Sequence, residues 1–354
     1  MYKHNRRKFL RTMAAAGGAT LANNLFLQSV YSHAALTSNK HNMLKEKSHY
    51  VPKYVEAQQS GELKARAEIL YERMRSCDLC PRDCETDRLR GQRGDCKANS
   101  DLEISSASAH FGEERELVGR NGSGTIFFTN CSMLCVFCIN YEVSQLGHGR
   151  VYSIRQLADM MLLLQRRGCH NINIVSPSHY IPHILMALDR AVPAGLRIPL
   201  VYNTSGWEKV EVLEFLDGIV DIYLADFKYA DPEAADKYSP GAVCYPEVAE
   251  KAMIEMNRQV GVADPDPDTG LMNSGLMIRH LVMPQNVARS DRVMRWIANN
   301  LPKDTYVNIM SQYTPMFKAF DYPEIARRIT RSEYNNVVSI ARGAGLTNLR
   351  LQMQ

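Results

Sequence analysis

The chain has 354 residues, of which 45% are hydrophobic and 23% charged, close to the averages for globular domains. These values argue against a wholly disordered chain, a collagen-like chain or a polytopic membrane protein. The formal net charge is +4, but five basic residues within the first eleven positions exceed that value, so the rest of the chain is close to neutral. Bulk charge therefore gives no indication of a nucleic-acid-binding surface.

Residues 1–34 have the pattern of an export signal. Basic residues precede a weakly apolar run, which ends near Ser32-His33-Ala34, a small-x-small cleavage pattern. The pair Arg6-Arg7, followed by Lys-Phe-Leu, resembles a twin-arginine signal, which predicts use of the twin-arginine export machinery and a location in the periplasm or envelope. The alternative is a basic N-terminus without an address, in a cytoplasmic protein.

Residues 35–119 are predicted to form an N-terminal extension. Within it, the apolar spacing of residues 59–76 predicts a helix, and residues 102–119 alternate enough to predict a hairpin. Four cysteines with C-x2-C-x3-C-x11-C spacing lie between these segments: Cys77, Cys80, Cys84 and Cys96. They can bind zinc, bind a second iron–sulfur cluster, or form two disulfides after export. We favour an auxiliary metal there, without choosing which.

From residue 120 onward, short apolar strands alternate with amphipathic helices. The predicted strands are 125–129, 171–175, 198–202, 220–225, 276–282 and 306–309. The predicted helices are 154–167, 181–191, 210–216, 247–260, 289–299 and 332–342. This alternation predicts an α/β domain with a parallel sheet covered on both faces, and ligands at the carboxyl ends of its strands. The number of predicted strands and helices alone does not distinguish an open six-stranded β/α barrel from a doubly wound sheet.

Three cysteines follow the first of these strands. Cys131, Cys135 and Cys138 have C-x3-C-x2-C spacing, and thiolates are the usual ligands of iron–sulfur clusters. Three such ligands leave one iron of a cubane without a protein ligand, free to bind a substrate or cofactor. A zinc site completed by a ligand from elsewhere is the alternative.

This motif, after the first strand of a β/α array, resembles that of the radical S-adenosylmethionine superfamily. The resemblance implies an open six-stranded parallel β/α barrel over residues 120–354, a [4Fe–4S] cluster on the three cysteines, and S-adenosylmethionine at the open iron. A low-potential donor of flavodoxin or ferredoxin type would reduce the cluster, and the resulting 5′-deoxyadenosyl radical would take a hydrogen atom from the substrate. Phe137 matches the aromatic position beside the adenine.

Three later segments resemble the pyruvate formate-lyase activating enzymes, in the same order along the chain. Residues 201–206, 221–228 and 278–284 are similar to that family's Asp/Asn-Thr-Asn/Ser-Gly, Asp-x-Lys and Arg-x-x-x-x-Pro motifs. The similarity is greatest to the branch that adds an upstream cysteine cluster. The resemblance implies hydrogen abstraction either from a protein glycine, in a glycyl-radical enzyme that this chain would activate, or from another substrate.

The resemblance also implies contacts between S-adenosylmethionine and three polar residues, Asn203, Asp226 and Lys228. Lys228 would bind the cofactor's carboxylate. A surface ion pair between Asp226 and Lys228 and a simple turn at Asn203 are the alternatives. Arg279 and His280 point to opposite faces of their strand, so at most one of them faces the pocket.

One turn departs from the activating enzymes. Their Gly-Gly-Glu-Pro is replaced by Ser176-Pro177-Ser178-His179, so the two serines would supply the acceptors for the amino end of S-adenosylmethionine. The rival function is an exported, non-catalytic electron-transfer or metal-binding protein that has kept the fold. That rival is serious because S-adenosylmethionine and low-potential electron donors are normally cytoplasmic.

Overall fold

A nine-stranded, mostly parallel sheet forms the centre of the molecule. The structure is a computed structural model that describes residues 50–352, so the predicted export signal lies outside the described residues. The strands are β1 (Leu102–His110), β2 (Ser123–Phe128), β3 (Arg150–Tyr152), β4 (Ile172–Val175), β5 (Leu200–Thr204), β6 (Ile222–Asp226), β7 (Gly275–Leu281), β8 (Tyr306–Met310) and β9 (Leu349–Leu351).

The strand order is β3-β1-β2-β4-β5-β6-β7-β8-β9. From β2 to β9 each neighbouring pair is parallel, whereas β1 is antiparallel to both β2 and β3. The order is linear, with β3 and β9 at its two edges. The sheet formed by residues 50–352 is therefore open, and the α/β class with a parallel sheet is confirmed.

The sheet contains more strands than the six predicted. Those six are present as β2 and β4 to β8, but β1, β3 and β9 join them. β3 and β9 have only three residues each and bury little, so they have no clear apolar pattern. The hairpin predicted within 102–119 is wrong, because β1 pairs with β2 and β3 and its chain continues into a helical turn.

Residues 50–352 contain eleven α-helices, and those from the fifth onward connect the parallel strands. The eleven are α1 (Tyr54–Gln59), α2 (Glu62–Glu72), α3 (Arg115–Val118), α4 (Tyr141–Ser144), α5 (Ile154–Arg166), α6 (Ile181–Ala191), α7 (Val210–Leu213), α8 (Pro232–Tyr238), α9 (Tyr245–Val260), α10 (Ser290–Asn300) and α11 (Arg331–Gly343). Capping boxes define the starts of α5, at Ser153 and Gln156, and of α11, at Thr330 and Glu333. No helix within residues 50–352 has the length and apolar character needed to cross a membrane.

The two faces of the sheet pack against different parts of the chain. Tyr202 and Tyr223 belong to the large core that includes the helices, whereas Val201 and Leu224 belong to a smaller cluster. That smaller cluster includes Leu117 of α3. Because side chains alternate along a strand, the polar residues at the carboxyl ends of β5 to β7 share the α3 face of the sheet. The segment that leads into α3 therefore borders the site described next.

Candidate active site

The loop after β2 places three cysteines at the carboxyl end of that strand. Asn130 and Leu134 turn the backbone with positive φ angles of 69° and 56°. The Asn130 N–H donates to the Val143 carbonyl (3.0 Å), and the Val136 N–H donates to the Tyr238 carbonyl (2.9 Å). Contacts with α4 and α8 thus fix both halves of this loop, residues 129–138, which we call the thiol loop.

The three thiols of the thiol loop are free, and each has a polar neighbour. Ser239 Oγ donates to Cys135 Sγ (3.1 Å), and Cys138 Sγ lies 3.2 Å from Ser144 Oγ. Burial raises the pKa of all three thiols, and the Lys228 ammonium acts against that rise at each of them. Metal binding at these thiols would therefore be coupled to loss of their protons.

The donor set of the thiol loop fits an iron–sulfur cluster. Free thiols with hydrogen-bond donors directed at the sulfurs are the ligands such clusters use. Within residues 50–352, no three or more His, Cys, Asp or Glu side chains form a group already arranged to hold a metal ion. Phe137 is buried in the same loop, and its ring lies 5.9 Å from that of Tyr313 in an edge-on contact. Its place beside an adenine stays a prediction.

Polar and charged side chains from three neighbouring strands, β5 to β7, meet beside the thiol loop. The Asp226 carboxylate, at the end of β6, accepts from Lys228 Nζ (2.6 Å) and from Arg279 Nε (2.7 Å). Arg279 of β7 also donates to Asn203 Oδ1 (2.7 Å) and to Glu113 Oε2 (3.1 Å). The structure thus brings Asn203, Asp226 and Lys228 together, and it adds Glu113, which the sequence analysis missed.

The electrostatics of this network favour the charged forms of Asp226 and Lys228, whereas burial raises the pKa of Glu113. Burial raises the pKa of Asp226, but Arg279 and Lys228 outweigh it and hold that pKa below its ordinary value. For Lys228, burial lowers the pKa, but the charges of Asp226 and Cys135 and the hydrogen bond to Asp226 together more than reverse the effect. A partly desolvated site with ammonium, guanidinium and carboxylate groups can bind both ends of an amino acid.

Of the two neighbouring residues on β7, only Arg279 belongs to this network. His280 is fully buried on the other face of the sheet. Its Nδ1 lies 2.6 Å from the Phe227 carbonyl and its Nε2 lies 2.8 Å from Ser290 Oγ. Burial lowers its pKa to about 4. His280 is therefore a neutral core histidine with both ring nitrogens satisfied.

The turn after β4 presents only one of its two serines. Ser176 has a positive φ of 54°, and its N–H donates to the Asn203 carbonyl (2.9 Å). The Ser178 hydroxyl instead donates to Glu208 Oε1 (2.5 Å), which also accepts from the Thr204 hydroxyl (2.5 Å). Ser178 is therefore committed to Glu208, and Ser176 remains the candidate contact for a cofactor.

Glu208 is a buried carboxyl group that the sequence analysis missed. It is 1% exposed, and burial raises its pKa to about 7. Its only sequence signal is that it follows Thr204 by four residues. Thr204 belongs to the segment 201–206, which resembles the activating enzymes. Because Glu208 anchors Ser178 and Thr204 together, it supports the turns after β4 and β5 from behind.

Glu208→Gln is expected to remove a pH-dependent loss of stability. In the folded protein the Glu208 pKa is about 7 rather than the ordinary 4.5, so the folded state keeps a proton that the unfolded chain releases. Stability should therefore fall between these two pKa values as the pH rises, by up to about 3 kcal/mol. Urea unfolding of both proteins at about pH 5 and about pH 8 measures this difference. Identical pH dependence in the two proteins would contradict a protonated Glu208.

The four upstream cysteines lie in a loop that contacts the thiol loop. Cys77, Cys80 and Cys96 are buried, Cys84 is half-buried, and all four are free thiols. Between Cys80 and Cys84, the Arg82 guanidinium donates to the Ser132 carbonyl (2.7 Å). The two cysteine loops are therefore joined through Arg82, which no sequence motif had indicated.

A cleft of about 580 Å³ opens beside the charged network, between the segment leading into α3 and the ends of β7 to β9. Glu114 and Asn308 line it and are bonded to each other, since Asn308 Nδ2 donates to Glu114 Oε1 (2.9 Å). Their other oxygens, Glu114 Oε2 and Asn308 Oδ1, are buried and have no partner in the described part of the chain. The wall of the cleft thus contains two acceptors without partners among residues 50–352, and such oxygens suit N–H donors.

Comparison with known proteins agrees with this geometry. The sequence model of the Radical SAM superfamily matches residues 125–256, from β2 into α9. Uncharacterized protein MJ0674 of Methanocaldococcus jannaschii is 30% identical over 287 residues, which cover 79% of this chain and 78% of that protein.

A parallel sheet with a three-thiol loop after β2 defines the class of protein, and the chain belongs to the radical S-adenosylmethionine superfamily. Membership implies a [4Fe–4S] cluster and S-adenosylmethionine.

Proposed function

We propose that this radical S-adenosylmethionine enzyme holds its cluster on Cys131, Cys135 and Cys138 and its cofactor across the ends of β4 to β7. When bound, the two groups supply reductive cleavage of S-adenosylmethionine and hydrogen-atom abstraction. The observation that supports this placement is the position of Lys228, whose charge acts on all three thiols while its ammonium is bonded to Asp226.

Each residue of the network has a separate role in this proposal. The Lys228 ammonium binds the cofactor's carboxylate, and Asp226 binds its amino group beside the acceptors of Ser176. Arg279 keeps Asp226 ionised and fixes the Asn203 amide, with bonds of 2.7 Å to each. Phe137, in the thiol loop, packs against the adenine. The protein's part is thus to orient a charged amino acid beside the cluster.

The cleft beside β7 to β9 supports a protein substrate. Its unpartnered acceptors, on Glu114 and Asn308, suit the backbone N–H groups of an extended peptide. We therefore propose that a peptide segment of a glycyl-radical enzyme enters this cleft, as in the activating enzymes that the sequence resembles. A flavodoxin or ferredoxin would supply the electron.

Anaerobic reconstitution tests the proposed function. With iron, sulfide, dithionite and S-adenosylmethionine, the wild-type protein is expected to form 5′-deoxyadenosine and methionine, measured by liquid chromatography. A variant with alanine at positions 131, 135 and 138 is the control and should form neither. A wild-type protein that binds a cluster but never cleaves S-adenosylmethionine would instead favour the rival, a non-catalytic electron-transfer protein.

We also propose that residues 1–34 direct export through the twin-arginine machinery to the periplasm or envelope. Replacing both Arg6 and Arg7 with lysine should retain the protein in the cytoplasm, because that machinery recognises the arginine pair. Cell fractionation and immunoblotting of the two forms measure the effect. A wild-type protein that is already cytoplasmic would contradict the export proposal and leave the proposed chemistry intact.

A further inference from the structure

Arg88 is a fully buried cation, and the described residues 50–352 offer it no carboxylate of opposite charge. Its side chain is 0% exposed. It donates to the Asn99 carbonyl (3.1 and 2.8 Å) and to the His179 carbonyl (2.8 Å), and Nη1 lies 3.6 Å from Cys77 Sγ. Among residues 50–352, Asp87 and Glu103 pair with Arg90 and Arg93 instead, and the Tyr180 ring, 6.0 Å from the Arg88 guanidinium carbon, carries no net charge.

Carbonyl groups satisfy the N–H groups of Arg88 but supply no net negative charge. A guanidinium keeps its proton at every physiological pH, and a buried charge that lacks a counter-ion is strongly destabilising. The fourth contact of Arg88 is a cysteine sulfur, which can carry a full negative charge as a thiolate. The surroundings of Arg88 therefore point to thiolates as its counter-ions.

Two sulfurs of the upstream cysteine loop, those of Cys84 and Cys96, face the same glycine. That glycine is Gly94, and an added β carbon would stand only 2.9 Å from Cys84 Sγ and 3.9 Å from Cys96 Sγ. The Cys77 N–H donates to the Thr86 carbonyl, and the Glu85 N–H donates back to the Cys77 carbonyl, both at 3.1 Å. These bonds hold the first and second parts of the loop side by side, with the glycine leaving space between the sulfurs.

We propose that Cys77, Cys80, Cys84 and Cys96 bind a thiolate-coordinated metal centre, zinc or an iron–sulfur cluster, whose negative charge balances Arg88. Four thiolates outweigh the positive charge of either metal core, so both centres carry the required sign. The four thiols are not yet gathered around one point, so binding would turn the side chains toward the space beside Gly94.

Two disulfides in this loop would not supply the negative charge that the buried Arg88 requires. A disulfide is neutral, so pairing the four cysteines would leave Arg88 buried with no counter-ion. The metal centre also differs from the proposed catalytic cluster, because none of its four ligands lies in the thiol loop. Its presence can therefore be tested in a protein that has no catalytic cluster.

The test uses the full chain with alanine at positions 131, 135 and 138, purified anaerobically. Zinc, iron and acid-labile sulfide are measured per chain, with the visible spectrum. We expect about one zinc ion, or iron and sulfide in nearly equal amounts with broad visible absorption. Adding Cys80→Ser should abolish this content, whereas adding Cys169→Ala, at a buried free thiol elsewhere, should leave it unchanged.

Arg88 has a matched control in Arg90, an exposed arginine of the same short 3-10 helix. Arg88→Gln should speed metal release to a chelator by roughly 10- to 100-fold, the range found for groups that support metal ligands. Arg90→Gln should not change it. Equal release from the two variants would overturn the role assigned to Arg88.

Alkylation followed by mass spectrometry gives an answer even if Cys80→Ser is insoluble. In the protein with alanine at positions 131, 135 and 138, the four loop cysteines should resist alkylation until a chelator is added. Four cysteines that react at once in the protein as purified, before any chelator is added, or that are found as two disulfides, would overturn the proposal.

Discussion

Cys135→Ala is expected to lower the iron and sulfide content of the proposed catalytic site by at least about 100-fold, because even groups that only support a metal ligand contribute 10- to 100-fold. Cys135 is the most buried of the three cysteines in the thiol loop, and its sulfur accepts the hydrogen bond from Ser239. Anaerobic purification followed by iron analysis and visible spectroscopy measures the loss. Formation of 5′-deoxyadenosine should fall with it.

Cys169→Ala is the matched control for this loss. Cys169 is also a buried free thiol, but it lies between α5 and β4, away from the thiol loop. The Cys169→Ala variant should keep the wild-type cluster content. This result would distinguish the loss of a cluster ligand from the general effect of removing a buried sulfur. If Cys135→Ala kept the full wild-type iron content and an unchanged spectrum, rather than at most the content of the variant with alanine at positions 131, 135 and 138, the assignment of the cluster to this loop would be wrong.

Arg279→Met is expected to destabilise the protein by about 3–5 kcal/mol, the range for breaking a buried ion pair. Its guanidinium holds three acceptors: Asp226, Glu113 and Asn203. Without it, Asp226 keeps Lys228, but Glu113 loses its counter-ion inside the protein. Urea unfolding near pH 7 measures the change.

Lys228→Met is the matched comparison, since it removes the other cation from the same carboxylate. Asp226 would still be bonded to Arg279, so the loss of stability should be smaller. S-adenosylmethionine binding should weaken by roughly 10- to 150-fold, the effect of losing one charge-assisted bond of about 1.5–3 kcal/mol. Equal destabilisation by the two variants would contradict the role of Arg279 as the cation that holds several acceptors. Unchanged S-adenosylmethionine binding by Lys228→Met would contradict the proposed contact between Lys228 and the cofactor.

The position of the thiol loop and of the charged strand ends could be predicted from chain order alone. Parallel strands bring their carboxyl ends to one edge of a sheet, so residues that follow β2, β5 and β6 must meet. For this reason Asn203, Asp226 and Lys228 were expected near the cysteines, and the structure brings them together around Arg279.

The site residues that could not be predicted from the sequence lie in irregular segments. Glu113 is 166 positions away from Arg279 and lies in a loop that no periodic pattern places on the sheet. Arg82 and Arg88 lie among the turns that precede β1, where charged residues are ordinarily exposed. Only the tertiary structure reveals that Arg82 donates a hydrogen bond to the thiol loop and that Arg88 is buried.

The two edges of the open sheet have a consequence for association between chains. A free strand edge offers unpaired N–H and C=O groups to the strands of other molecules, and long flat edges promote aggregation. Here β3 and β9 have three residues each, and each contains an arginine, Arg150 and Arg350. Such short, charged edge strands give a second copy of the chain too little backbone for stable strand pairing. The sheet can therefore keep its two open edges without pairing with the sheets of other molecules.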